Sequence, residues 1–205
     1  MTPMRSGARE RLIGAAEAEL IQGRGHLEMQ AVAKRARVSV GLAYHHFGSK
    51  AGLIAAVVEA FYDLLEAAAF DPAHLVARDW AGRERERIAA YIGFHYDHPF
   101  APLVVGPLSR AAEVLDVEQA FTKRQLAAGA YNLRAGQREG VIPRDLDRSL
   151  AIALIIGGIR QALIGALTAA QRPDRSALTD KIWRFMAGGL RLRIAASGAA
   201  QPIQP

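Results

Sequence analysis

The sequence predicts an all-α protein of about nine helices, in which a three-helix head is joined by a fourth helix to a larger helical body. Three observations lead to this fold class. Apolar residues recur at spacings of three and four along nearly the whole chain, and strand-like alternation is absent. The long segments are rich in Ala, Leu, Arg and Glu, which favour helices. Gly and Pro interrupt the pattern where helix ends are expected.

The first third of the chain contains four predicted helices, at residues 9–22, 29–36, 40–47 and 50–69. The first has Ser6 as its predicted N-cap and ends at the GRG that begins with Gly23. Ser49 caps the fourth helix. The Asp71-Pro72 pair ends it, because a residue that precedes proline disfavours the helical conformation.

Four further helices are predicted in the body, at about residues 80–98, 117–139, 148–170 and 176–196. Pro99 stops the first of them, and an irregular segment, FAPLVVGPLSRAAEV, follows. Gly140 is the predicted C-terminal cap of the next helix, Asp147 caps the third, and Pro173 precedes the last. We therefore divide the chain into a helix-turn-helix domain at 1–50, a helical domain at 51–198 and a disordered tail at 199–205.

The composition is that of a folded, soluble protein. Of its 205 residues, 51% are apolar, which is enough for a sizeable core. The longest apolar run starts at Leu150, is shorter than the roughly 18–20 residues that span a bilayer, and is followed by Arg160. The sequence has no cysteine and its beginning lacks a signal-peptide pattern, so we expect a cytoplasmic protein with no membrane partner.

Residues 31–47, AVAKRARVSVGLAYHHF, have the layout of a helix-turn-helix. The head is also basic, since residues 1–50 hold eight Lys or Arg and four Glu within a total formal charge of +6. Ser39 is placed to cap the third helix, whose positive dipole end favours phosphate. These features predict a double-stranded DNA partner. The predicted inward face of the head consists of Leu12, Ala16, Leu20, Val32, Ala33, Ala36, Val38, Ala43 and Phe47.

The stretch VSVGLAYHHFGSK, preceded by AVAKRAR, closely resembles the signature of TetR-type (tetracycline-repressor-like) transcriptional regulators. Tyr44, Phe47, Gly48 and Lys50 occupy the family's positions together, and the match covers about the first 60 residues. The resemblance implies a homodimer whose two heads enter successive major grooves of a palindromic operator. It also implies that a small molecule bound in the body releases the DNA.

Three residues depart from the family pattern. Arg37 stands where the family has a turn glycine, and it either tolerates a left-handed backbone or adds a phosphate contact. Val40 replaces a common lysine and Leu42 a common Ser or Thr, which suggests an apolar reading surface for thymine methyl groups. The residues predicted to contact DNA are Gln30, Lys34, Arg37, Ser39, Val40, Gly41, Leu42, Tyr44, His45 and Lys50.

Two histidine pairs raise the alternative of a metal site. His45 and His46 are adjacent on a helix and point about 100° apart, so they do not ligate one ion comfortably. His95 and His98 share a helix face but lack a third convincing ligand. We therefore predict no metal, no other cofactor and no catalytic residue, and we expect His46 to pack against the first or fourth helix.

Aromatic side chains recur at helical spacing in the body, where they favour either ordinary core or the wall of a cavity. In the family the body encloses the effector, and the few charges on the predicted inner faces favour an apolar or aromatic one. The residues predicted to contact it are Tyr91, Phe94, His95, Leu103, Phe121, Tyr131 and Gln161.

The apolar segment LAIALIIGGIRQALIGAL contains three glycines, each of which costs about 1 kcal/mol relative to alanine inside a helix. Their presence predicts close helix–helix approach, either within one subunit or in a four-helix interface between the last two helices of two subunits. The fourth helix is the expected lever between effector and DNA. The residues predicted for the dimer interface are Gly157, Gly158, Gln161, Gly165, Trp183, Met186 and Gly189.

The favoured function is a ligand-responsive, homodimeric DNA-binding repressor, and two other functions compete with it. In the first, the head binds DNA but the body docks another protein and takes no small molecule. In the second, the chain is an enzyme that uses the body cavity, although the sequence has no cysteine, no G-x-S-x-G motif and no Gly-rich phosphate loop. The sequence does not distinguish a repressor from an activator and does not name the effector.

Overall fold

The computed structural model describes residues 7–192. Within that range the protein is all-α, as predicted, with nine α-helices and no strand. Ser6 and the predicted tail at 199–205 lie outside the described residues, and Gly7 holds the N-cap position of the first helix. The helices are α1 (Ala8–Gln22), α2 (Met29–Ala36), α3 (Val40–Phe47), α4 (Lys50–Phe70), α5 (Trp80–Asp97), α6 (Ala101–Val105), α7 (Leu115–Arg138), α8 (Arg148–Thr168) and α9 (Arg175–Gly189).

The head is a three-helix cluster formed by α1, α2 and α3. Its inward face is the predicted one: all nine side chains are buried or packed against the buried core, with Val38 and Phe47 half-buried. Polar contacts also fasten α1 to α2. Arg11 Nε donates to the carbonyl of Ala36 at 3.2 Å, and Arg35 Nε pairs with Glu19 Oε1 at 2.8 Å. The head is therefore held by apolar burial and by these cross-links.

Arg37 occupies the tight turn between α2 and α3 in the left-handed conformation, at φ 56° and ψ 49°. The turn is closed by two backbone hydrogen bonds, from the Arg37 N–H to the Lys34 carbonyl at 3.2 Å and from the Val38 N–H to the Ala33 carbonyl at 3.0 Å. This geometry explains why the family has glycine here, because a side chain in the left-handed region costs about 1–2 kcal/mol.

The long helix α4 joins the head to the body. Ser49 caps it by accepting the Gly52 N–H at 3.0 Å, and Gly48 turns the chain from α3 into α4 at φ 71°. The first half of α4 buries Leu53 and Val57 against the head, and the second half buries Phe61 within the body. One uninterrupted apolar core therefore runs from α1 along α4 to α7, across the predicted domain boundary at residue 50.

The body is formed by α5, α7, α8 and α9: α5 and α7 pack against α4, α8 packs against α7, and α9 packs against α5 and α8. The segment predicted as irregular contains α6 and two short 3₁₀ turns, Leu108–Arg110 and Ala112–Val114. The indole of Trp80 on α5 donates to the carbonyl of Asn132 on α7 at 2.8 Å. Helices α7 and α8 come close together at Gly129 of α7, because a Cβ there would lie 2.1 Å from Ile152 Cδ1 of α8.

Helix α9 ends earlier than predicted. Its last helical residue is Gly189, whereas the periodicity extends the helix to residue 196. Leu190 caps the helix, and Arg191 has φ 51°, a left-handed conformation that stops the helical hydrogen-bond ladder. Apolar periodicity alone does not mark such a stop, because Leu190 and Leu192 still turn toward a buried cluster.

Helix α8 contains the apolar run that starts at Leu150 and extends beyond it, to Thr168. Among residues 7–192 it is long and apolar enough, by length and composition, to cross a membrane. Only 22% of its apolar window is buried within this protomer. Leu150 and Leu154 lie on its exposed side, so the helix presents an apolar face that the rest of the described chain does not cover.

The left-handed turn predicts the effect of Arg37→Gly. Relief of the side-chain strain outweighs the greater backbone entropy of glycine in the unfolded chain, so the free energy of unfolding rises by about 0.5 kcal/mol. Urea denaturation followed by circular dichroism measures it. Lys34→Gly, inside α2, is the matched control and lowers the free energy of unfolding by about 1 kcal/mol. An equal loss of unfolding free energy in both variants would contradict the assignment of a strained left-handed backbone to Arg37.

Candidate nucleic-acid interface and body cavity

The start of α3 is the candidate nucleic-acid interface. Ser39 caps this helix by accepting the Leu42 N–H at 3.2 Å, so the positive end of the helix dipole lies at Val40 and Gly41. Ala43 is buried and fixes which face of α3 turns inward. The exposed predicted DNA-contacting residues are Gln30, Lys34, Arg37, Ser39, Gly41, Tyr44, His45 and Lys50.

Val40 and Leu42 are only half-exposed, and Val40 packs against the head core. The apolar reading surface predicted for them is therefore smaller than their sequence position suggests. His46 departs further from expectation. It is exposed, with its ring beside His45 and Phe47 at centroid distances of 5.8 Å and 6.1 Å, instead of packing against α1 or α4.

Several basic side chains of the head make contacts with other residues of the head. Arg9 lies over the ring of Phe47, with 5.7 Å from its Cζ to the ring centroid. Arg35 also donates to Gln22 Oε1 at 2.8 Å, in addition to its pairing with Glu19. Lys50 lies 3.8 Å from Glu28 in an exposed pair, which is weak in water and leaves the amine available to an anion.

The body contains a cavity of about 320 Å³ bounded by α4, α5, α7, α8 and α9. Of the seven residues predicted to contact an effector, Tyr91 and Phe121 line it. Phe94, His95, Leu103, Tyr131 and Gln161 do not. Most of the wall is apolar, and its larger apolar members besides Tyr91 and Phe121 are Phe70, Ile88, Leu126, Ile152, Ile155, Ile156, Ile159 and Met186.

An arginine held by a buried carboxylate forms one polar part of the wall. Arg160 of α8 lines the cavity, and its Nη1 and Nη2 donate to Glu118 Oε2 and Oε1 of α7 at 2.8 Å and 3.3 Å. The hydroxyl of Tyr62 on α4 donates to Glu118 Oε1 at 2.5 Å. These hydrogen bonds raise the pKa of the Arg160 guanidinium, and burial together with Glu118 raises the pKa of the Tyr62 hydroxyl.

A second arginine–carboxylate pair, Arg87 with Glu84 on α5, lines another part of the wall. Burial raises the pKa of Glu84, and the positive charges of Arg87 and Arg83 oppose that shift. Both pairs were missed by reasoning from the sequence. Arg160 offered a signal, as a lone charge within an apolar helix, whereas Glu118 and Tyr62 have ordinary sequence surroundings.

His95 is buried in an aromatic cluster beside the cavity. Its Nδ1 lies 2.8 Å from the carbonyl of Tyr91, so Nδ1 carries the proton, and its ring is 5.7 Å from that of Phe61. His98 Nδ1 accepts the Phe100 N–H at 3.3 Å. Burial lowers the pKa of His95 to about 4. Both histidines serve the packing of α5 against α4, and residues 7–192 contain no group of three potential metal ligands.

The outer face of α8 and α9 is apolar and exposed. Leu154 is 66% and Phe185 84% exposed. A Cβ added at Gly158, Gly165 or Gly189, or at Gly157, which lines the cavity, would meet nothing within 4 Å, so packing within the described chain does not explain these glycines. Among the other residues predicted for a dimer interface, Gln161 is exposed, Trp183 is half-buried, and Met186 is buried and turned toward the cavity.

Comparisons with known proteins agree with the geometry of the head. Residues 12–57 match the family model of bacterial regulatory proteins of the tetR family. No curated protein matches the chain. The resemblance to TetR-type regulators is thus confirmed for the head.

Solved structures with the same fold cover nearly the whole chain. One is the transcriptional regulator FadR from Bacillus subtilis in complex with stearoyl-CoA, with a TM-score of 0.75, 19% identity, and coverage of 88% of this chain and 98% of that one. The fatty acid degradation regulator FadR from Bacillus halodurans has a TM-score of 0.73, 20% identity and coverage of 93% and 100%. The ketosteroid transcriptional regulator KstR2 of Mycobacterium tuberculosis has a TM-score of 0.61, 19% identity and coverage of 91% and 96%.

The buried His95 predicts a pH dependence of stability. Its pKa is about 4 in the folded protein against 6.5 for an ordinary histidine, so the unfolded chain binds the proton more readily. The free energy of unfolding therefore contains a contribution that is complete above pH 6.5 and is lost as the pH falls toward 4.

Urea denaturation at a series of pH values measures this loss. In His95→Asn, which keeps an N–H donor, the decline between pH 6.5 and 4 becomes shallower. His26→Asn, at an exposed histidine, is the control and keeps the wild-type slope. A wild-type slope in His95→Asn would show that other groups govern acid stability.

Proposed function

The head of this chain matches the tetR family of bacterial regulatory proteins. We propose that the protein is a cytoplasmic transcriptional regulator that binds a palindromic operator as a homodimer. A small, largely apolar molecule in the body cavity releases it from the DNA. The observation that carries the proposal is the capped start of α3, which is surrounded by exposed polar and basic side chains on a head with a buried apolar core.

The exposed residues of the head divide into two roles. Lys34, Arg37 and Lys50 supply positive charge for phosphates, which fixes the position of the head on the duplex. Gly41, Tyr44 and the partly exposed Leu42 are placed to approach base edges. Because Arg37 already has the left-handed backbone that the turn requires, its exposed guanidinium adds charge without a further change of conformation.

A second copy of the chain is the proposed occupant of the exposed face of α8 and α9. The face combines Leu150, Leu154 and Phe185 with glycines that leave room for a helix from another protomer. This arrangement places two heads on one assembly, which a palindromic site requires. It also covers the apolar side of α8, so the helix is buried in a dimer and not in a bilayer.

Helix α4 is the proposed connection between effector and DNA. It begins at Lys50 beside α3 and ends at Phe70, which lines the cavity, a span of about 30 Å for its 21 residues. An effector that binds more tightly when α4 is displaced stabilises a dimer in which the distance between the two heads is altered. Because the heads then no longer match the two half-sites, the affinity for the operator falls. The B. subtilis protein of similar fold holds stearoyl-CoA, whose acyl chain is apolar, and this supports an effector with an apolar part here.

The two alternatives receive less support. A body that only docks another protein does not require a largely apolar cavity with two paired arginines. An enzyme requires a nucleophile or an acid–base pair at the cavity, and the candidate His95 lies outside its wall with its Nδ1 bound to a carbonyl.

Replacement of Lys50 tests the interface. Because Lys50 is placed to neutralise phosphate, Lys50→Ala weakens binding to DNA from upstream of the protein's own gene roughly equally for all sequences, and the slope of log affinity against log salt falls by about one for each head. Fluorescence anisotropy at several salt concentrations measures both. Lys181→Ala, exposed on α9, is the control. Unchanged affinity for Lys50→Ala would count against the assigned interface.

Charge placed on the outer face of α8 and α9 tests the dimer. Leu154→Glu combined with Phe185→Glu buries like charges against their symmetry mates, so the protein becomes monomeric and its operator affinity falls at least about tenfold. Analytical ultracentrifugation gives the oligomeric state. Val76→Glu, at an 85% exposed residue before α5, is the control and leaves it unchanged. A dimeric double variant would place the interface elsewhere.

A further inference from the structure

We propose that the cavity takes an uncharged, largely apolar molecule that carries a hydrogen-bond acceptor oxygen, and that this oxygen binds the guanidinium of Arg160. The proposal rests on the proposed function, because it names the chemical class of the effector and the point at which it acts. It is carried by the charge pairing of the cavity wall and by the hydrogen bonds that connect Arg160 to α4.

The charges at the cavity wall are already paired. Arg87 bonds Glu84 beside it, and Arg160 bonds Glu118 behind it, so each positive charge has its own carboxylate. The rest of the wall is mostly aliphatic and aromatic. A ligand with a net charge would bring an unpaired charge into a space of low polarity, which is unfavourable, whereas a neutral molecule adds no charge that needs a partner.

Arg160 retains hydrogen-bonding capacity toward the cavity. A guanidinium carries several N–H donors in a planar fork, and those bonded to Glu118 use one edge of it. Its side chain is 33% exposed and lines the cavity, in contrast to the Glu118 carboxylate, which is buried behind it. A carbonyl or ether oxygen satisfies the remaining N–H groups, and the apolar remainder of the ligand contacts the isoleucines of α8.

Arg160 also connects the cavity to α4. Glu118 Oε1 accepts from both Arg160 Nη2 at 3.3 Å and the Tyr62 hydroxyl at 2.5 Å, and Tyr62 lies on α4. The Tyr62 ring stacks on Phe121, a cavity residue, with centroids 3.9 Å apart and planes 11° apart. An oxygen that draws the guanidinium toward the cavity disturbs this chain of hydrogen bonds, whereas a plain hydrocarbon fills the space without acting on it.

A matched series of probes tests the ligand class on the full-length protein without DNA. Isothermal titration calorimetry compares methyl octanoate, octanoate, octylammonium and octane. We expect methyl octanoate to bind at least about tenfold more tightly than octane, because it adds a hydrogen bond to a charged donor. We also expect it to bind more tightly than both charged probes.

The double variant Arg160→Met with Glu118→Gln removes the donor without leaving a buried charge unpaired, and in it the ester and octane bind equally. Arg175→Met, which breaks an exposed ion pair with Asp97, is the control and keeps the wild-type ranking. Tighter binding of octanoate or octylammonium, equal wild-type affinity for ester and octane, or no binding of any probe overturns the proposed ligand class.

Tyr62→Phe tests the connection to α4, because it keeps the stacked ring and removes only the hydroxyl. We expect methyl octanoate to bind this variant within about twofold of wild type, while the concentration that releases DNA rises about tenfold. Tyr96→Phe, which loses a hydroxyl bonded to the Pro173 carbonyl, is the control and releases DNA like wild type. Wild-type release by Tyr62→Phe overturns the connection.

The outcomes separate this inference from the function on which it rests. Arg160-dependent binding of the ester by a protein that does not bind DNA supports the ligand class and refutes the regulator. Operator binding together with a preference for octanoate supports the regulator and refutes the ligand class.

Discussion

The packing of α4 against both the head and the body is the constraint on which the rest of the structure depends. Leu53 and Val57 belong to the same buried core as Phe61 and Leu65, further along the helix. Protein interiors are close-packed, so α4 cannot shift at one end without displacing the side chains at the other. The head and the body are therefore mechanically coupled, although they differ in charge and in the surfaces that they present.

The Tyr62–Glu118–Arg160 network connects α4 to the wall of the cavity. A charged group inside a protein is costly unless it is paired, and here three helices supply the pairing. The network thus fixes how α4, α7 and α8 fit together more narrowly than apolar contacts do, since an aliphatic side chain tolerates sliding and a hydrogen bond does not. A ligand that disturbs one bond of this network acts on all three helices.

Much of the head could be predicted from the sequence, and less of the body. The helices of the head are short, and their caps Ser39 and Ser49 and the stop at Gly23 are local signals that no distant contact overrides. The cavity is formed by five long helices whose apolar faces are nearly continuous, so periodicity does not distinguish a core residue from a cavity residue. Tyr131 and Leu103 illustrate this: both sit at helical spacing, yet one is exposed and the other packs against the core. The glycines of α8 suggested close packing, but the tight approach within this protomer is at Gly129 of α7.

The uncovered apolar side of α8 has a consequence for how the protein is made. A newly synthesised chain folds its own core but still exposes Leu150, Leu154 and Phe185 to water, and a patch of this kind promotes aggregation and proteolysis. In the proposed dimer, pairing follows mass action, so a chain present at low concentration spends longest with this face exposed. If a second copy covers the face as proposed, chains released from the same messenger RNA meet at high local concentration, and synthesis in bursts protects them better than slow, even production.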